Sequence, residues 1–185
     1  MLFLTGKGFS QSKKKKIEEP VPGSTVSPYG RVSNLPLSTR LKIYPFKNAT
    51  QIQLASFDNS DGQVVPGTKM YNNTPKLPIR WKTPFFQTKI LDKNSIDKLT
   101  DLLYNFDHFK SNYISEHASC FNPKNAILFL DEKGEVFDIF TICFECQRIE
   151  TYNNKISLPC TCDHTVASLK TFFKKEEIKY GVINK

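Results

Sequence analysis

The chain has no apolar run approaching the ~20 residues that a membrane-spanning helix needs. It has no Gly-x-Ser-x-Gly elbow, no phosphate-binding Walker loop and no His-Glu-x-x-His pair, so the common hydrolase, nucleotide-binding and metalloprotease signatures are absent. It has three histidines in 185 residues. Of these, His164 lies near possible chemical partners of two kinds, Asp163 or Cys162. No internal repeat is visible. No cysteine lies near residue 12, which removes support for a lipoprotein anchor. These absences lean away from an enzyme.

Charge is unevenly spread. Of the formal net charge of +8, five units come from Lys7 and the lysines at 13–16, so residues 17–185 carry only +3. The lysine run reads as a solvated tail. Nucleic-acid binding is not expected, because the aromatic residues are not interleaved with arginines on one face.

Residues 1–12 resemble the end of a signal peptide, although the apolar part is short and Lys7 breaks it. As a signal remnant they imply export, periplasmic or extracellular. Otherwise they are a leader on a cytoplasmic protein. Residues 13–40 carry the lysines, Glu18, Glu19 and several prolines and glycines, the chemistry of an extended linker. A single domain is expected over 41–183, of a length that supports one core.

Within it, Leu41 to Tyr44 and Gln51 to Phe57 read as strands, and 58–62 as a turn. The proline-rich stretch 62–84 is a long loop. Trp81, Phe85 and Phe86 at its end either pin the loop to the core or form an aromatic interface for another protein. Residues 94–106 read as a helix capped by Asn94, with Ile96, Leu99, Leu102, Leu103 and Phe106 on one stripe. His108 follows it as a histidine near a helix C-terminus. Residues 155–158 are a candidate strand. A closing helix is expected over His164 to Lys175, capped by Asp163, with Val166, Leu169, Phe172 and Phe173 inward. Ile178, Tyr180 and Val182 suggest an edge strand.

The strongest pattern is a β-hairpin. Ala126 to Leu130 is an apolar run of strand formers, Asp131 to Gly134 a turn, and Val136 to Phe144 apolar on both alternating faces, as in a buried strand. The expected fold is α+β: a small antiparallel sheet built on this central hairpin and covered by two helices.

Five cysteines give the chain its candidate chemistry. Hairpin register brings Cys120 opposite Cys146, which makes them the favoured disulfide pair. Cys143 is then left to pair with Cys160 or Cys162. Alternatively Cys143, Cys146, Cys160, Cys162 and His164 form a zinc set, with Cys143-x-x-Cys146 as half a knuckle. Redox catalysis is disfavoured, because Cys143-x-x-Cys146 ends a strand with no helix after it.

The blocks 120–127, Cys-Phe-Asn-Pro-Lys-Asn-Ala-Ile, and 142–146, Ile-Cys-Phe-Glu-Cys, resemble a pattern in an uncharacterised family of small, often exported bacterial proteins. These carry Cys-x-x-Pro and Ile-Cys-Phe-x-Cys blocks, and Asn125 stands where many have His. The resemblance implies export and the hairpin, and no activity. Two function classes therefore stay open. One is an exported, non-catalytic binding protein without a cofactor, an inhibitor or immunity-type partner of another protein. The other is a cysteine-cluster protein that binds zinc.

Overall fold

The computed structural model describes residues 29–59, 85–108, 121–151 and 155–183. The chain runs β1 (Tyr29–Arg31), α1 (Leu37–Arg40), β2 (Gln51–Phe57), β3 (Phe85–Ile90), α2 (Lys93–Asn105), β4 (Phe106–His108), β5 (Asn125–Leu130), β6 (Val136–Cys143), β7 (Arg148–Thr151) and α3 (Asp163–Lys175). Five strands form one antiparallel sheet in the order β3-β2-β5-β6-β7, and β1 pairs with β4 in a separate two-stranded ribbon. The fold is α+β, as the sequence pattern implies.

The hairpin forms because its turn and its two arms agree. Asp131 accepts hydrogen bonds from the backbone N–H groups of Lys133 and Glu135, each at 2.9 Å. Gly134 takes φ +75°, which a residue with a Cβ adopts reluctantly. β5 is the middle strand, with β6 beside it, and every residue of β5 is buried. Alternation divides their side chains between two faces. Ile52, Leu54, Ile127, Phe129, Phe140 and Ile142 face the main core, with Leu99, Leu103, Val166, Leu169 and Phe173 from α2 and α3. Ala55, Phe57, Ala126, Leu128 and Ile139 form a second cluster, which Phe85 and Val136 join. Each large side chain buried here contributes about 1.5–3 kcal/mol relative to exposure.

α2 begins two residues earlier than the Asn94 cap implies. Asp92 is the N-cap, and its carboxylate accepts from the Ser95 N–H at 2.7 Å. α3 is capped by Cys162, not Asp163. Both inward stripes lie where helical spacing puts them, except that Phe106 leaves α2 and opens β4.

Four local expectations fail. Residues 41–44 are not a strand: α1 hands over to turns there, with the Leu41 N–H bonded to the Leu37 carbonyl. Arg40 fixes this geometry. It is buried, donates to the Asp97 carbonyl and the Thr100 hydroxyl, and pairs with the Asp97 carboxylate. Residues 155–158 are irregular; Ile156 and Leu158 rest on the core as side chains without strand pairing. Residues 178–182 form no strand: Tyr180 makes a single bridge and Gly181 and Val182 turn, with Ile178 and Val182 buried and Gly181 at φ +70°. A Cβ on Gly181 would stand 2.5 Å from Asn125 Oδ1, so a bulkier residue is excluded by contact as well as by conformation. Finally, residues 29–40, expected within the linker, supply β1 and α1. Arg31 holds β1 to α2 through a two-pronged bond to Asp101, at 2.9 and 2.6 Å.

Among the described residues no helix is long and apolar enough to cross a membrane.

Candidate metal centre

Two segments far apart in sequence meet at one corner. β4 ends at His108. The loop before α3 brings Cys160, and the first residues of α3 bring Cys162, Asp163 and His164. One imidazole nitrogen of His108 and the sulfurs of Cys160 and Cys162 all lie within 4.8 Å of one another. A second group, His108, Asp163 and His164, meets the same limit. The two groups share His108, and the His108 and His164 rings are 5.4 Å apart between centroids.

Local structure explains how the loop presents its donors. Cys162 occupies the N-cap of α3, yet its sulfur makes no capping bond. A helix start normally puts Ser, Thr, Asp or Asn at this place to satisfy the first N–H groups. The sulfur instead lies 3.4 Å from the Thr165 hydroxyl, and the Cys162 N–H donates to the Cys160 sulfur at 3.1 Å. The Asp163 carboxylate accepts from the His164 N–H at 2.9 Å. The N-terminus of α3 favours negative charge here, thiolate or carboxylate.

Tyr29 walls the corner. Its ring is stacked on His164 at 5.1 Å and meets His108 at 5.4 Å. Its hydroxyl is 3.3 Å from that of Thr165. Burial raises the Tyr29 pKa, against the lowering effect of hydrogen bonds to Thr165 and Ser168. Tyr29 is therefore a neutral phenol and shapes the site as a wall and not as an anion. His108 and Cys162 are buried, whereas His164 is exposed.

Cys160 and Cys162 are joined as a disulfide, and so are Cys143 and Cys146. This corrects the expected connectivity. Cys146 is bridged to Cys143 and not to Cys120, which lies outside the described residues, and Cys143 is not paired with Cys160 or Cys162. The reason is local. β6 ends at Cys143, the chain turns from 144 onward, and the Cys146 N–H is brought to 3.1 Å from the Cys143 sulfur. Residues 143–146 are thus not one continuous strand, and alternation does not separate the two cysteines.

The metal set read from the sequence is divided in the same way. Cys160, Cys162 and His164 belong to the corner; Cys143 and Cys146 belong to neither group of donors. His108 was missed. Nothing in its spacing marks it, since it is 52 residues from Cys160. Its place depends on α2 stopping at Asn105 and on β4 pairing with β1 from a stretch read as linker. The one available clue was the poor cap chemistry of Cys162.

Of the aromatic candidates, Trp81 lies outside the described residues. Phe85 packs on Phe57 at 6.5 Å, and Phe86 is 53% exposed with its ring edge-to-face on Tyr180 at 4.6 Å. Asn125 is fully buried and donates to the Tyr180 carbonyl at 2.9 Å, so it fastens the C-terminal turn to β5.

A soft sulfur pair with two imidazoles is a donor set suited to tetrahedral zinc. A tetrahedron with bonds of about 2.0–2.3 Å has ligand atoms roughly 3.3–3.8 Å apart; the His108 nitrogen stands with both sulfurs inside 4.8 Å, and His164 meets the same limit with His108 in the second group. Comparison of the chain with protein-family models, with curated proteins and with solved structures finds no match.

Proposed function

We propose that the chain is a metal-binding protein whose ion, zinc by the chemistry of the donors, is held by His108, Cys160, Cys162 and His164 in the reduced protein. The observation that carries this reading is the convergence of His108 with the two sulfurs, across 52 residues of sequence. It favours the second of the two function classes left open by the sequence, with His108 in place of Cys143 and Cys146.

Four protein ligands leave no open position, so the site is structural and not catalytic. Its task is to join elements. A two-stranded ribbon such as β1-β4 is marginal alone. An ion on His108 would tie its end to α3 and to the loop that leads into it, adding to the hold of Arg31 on Asp101.

The test is metal content in full-length protein purified with a thiol reductant and without chelator. About one zinc per chain is expected, lost in His108→Ala and retained in Cys143→Ser. Zinc retained by His108→Ala, or lost from a folded Cys143→Ser, would overturn the assignment.

A further inference from the structure

Resting on the metal reading above, we propose that Cys160 and Cys162 are a redox gate on the ion. Reduced, they supply two of its four ligands. Bridged, they release it.

Three observations meet here. The two sulfurs are bonded to each other in the structure, and both stand within the ligand grouping of His108. The same atoms therefore serve either bond, and the choice needs no rearrangement of distant elements. The Cα atoms are 5.3 Å apart, inside the range a bridge accepts, with one residue between them. Third, bridging does not remove every donor. His108, Asp163 and His164 remain as a second grouping of two imidazoles and a carboxylate. That set lacks the thiolates that select zinc and lies on the exposed side of His108, so it holds zinc more weakly. Cys143 and Cys146 are bridged as well, but among the described residues no third donor stands with them, so that pair gates nothing.

The chemistry balances with a peroxide as oxidant. The two zinc-bound thiolates give up two electrons and their sulfurs join. Hydrogen peroxide takes those electrons with two protons from solvent and leaves as two waters, and Zn²⁺ departs. In the reverse direction a dithiol gives two electrons and two protons to the bridge and is itself oxidised to a disulfide. The two thiols then lose their protons to solvent as zinc binds.

The experiment uses reduced, zinc-loaded, full-length protein titrated with hydrogen peroxide. Free zinc is read with a chromophoric chelator, and cross-linked peptides are mapped at each step. About one zinc per chain should be released in step with the Cys160–Cys162 cross-link, and should rebind after a phosphine reductant is added and removed. A cross-link that forms while zinc stays bound overturns the gate and leaves the site standing. Zinc released in step with Cys143–Cys146 instead gives the gate to the wrong pair. Reduced protein that never takes up zinc removes the site itself, and the gate with it. The mapping is done on the parent protein, so no outcome depends on a variant folding.

Discussion

The hairpin β5-β6 and the corner around His108 are built by opposite means. The hairpin is apolar on both faces, joined by a tight turn, and held in place by burial from both sides. Its partners are neighbours in sequence. The corner draws residues 29, 108 and 160–165 together from three places, and much of its side-chain contact is through sulfur, imidazole, hydroxyl and carboxylate. Burial, with the bonds of the Asp131 turn, explains the first region. In the second, the polar groups need a bond, a bridge or an ion to gain from being close.

The comparison breaks most visibly if the hairpin is damaged. Phe140→Ala leaves a cavity against Phe129, whose ring it meets at 4.9 Å, in a fully buried site. The expected loss is about 3–5 kcal/mol, read by denaturant titration. A loss below about 1 kcal/mol would mean that burial does not hold this region.

The next effect is confined to the corner. In reduced protein, free zinc at a hundredfold excess over its dissociation constant should add about 3 kcal/mol of stability. His108→Ala should lose that gain, read for each protein as the difference with and without zinc, so that the cost of truncating a buried ring cancels. Thermal unfolding of both proteins with and without zinc checks this.

A smaller effect belongs to the Cys143–Cys146 bridge. It closes a loop of only four residues, worth roughly 2 kcal/mol in the chain-entropy model, against about 3 for the longer loop a Cys120–Cys146 bridge would close. Cys146→Ser should lower the melting temperature accordingly and leave zinc content unchanged.

The smallest concerns the hold of β1 on α2. Bonds from Arg31 lower the pKa of the Asp101 carboxyl first, with Asn105 and the charge of Arg40 adding to them against partial burial. A carboxyl whose pKa is lower folded than unfolded adds stability above its ordinary range, and loses it as pH falls through the lowered value. Asp101→Asn should therefore cost about 1 kcal/mol or less at neutral pH and nothing in strong acid. Melting curves of both proteins across pH decide it; an equal deficit at every pH would contradict the ion pair.

What could be read in the sequence follows the same division. Gln51–Phe57, the two hairpin arms and the two helical stripes obey local rules of period and turn, and the structure keeps them. The short pieces did not follow those rules. Leu41 to Tyr44 has the composition of a strand, but Arg40 binds the preceding turn to α2. The Cys143/Cys146 pairing turned on β6 stopping at Cys143 and the chain turning from 144, where the residue types read as a continuing strand. The metal corner was half legible, in Cys160, Cys162 and His164. His108 was not, because only the pairing of β4 with β1 brings it there.

The most direct test of the corner is zinc K-edge X-ray absorption on the reduced, zinc-loaded full chain. The expected first shell is two sulfurs at about 2.3 Å and two nitrogens at about 2.0 Å. A shell of three or four sulfurs would bring in cysteines from outside the corner, and a shell without sulfur would leave Cys160 and Cys162 with no part in holding the ion. Either result would contradict a site built on His108, Cys160, Cys162 and His164.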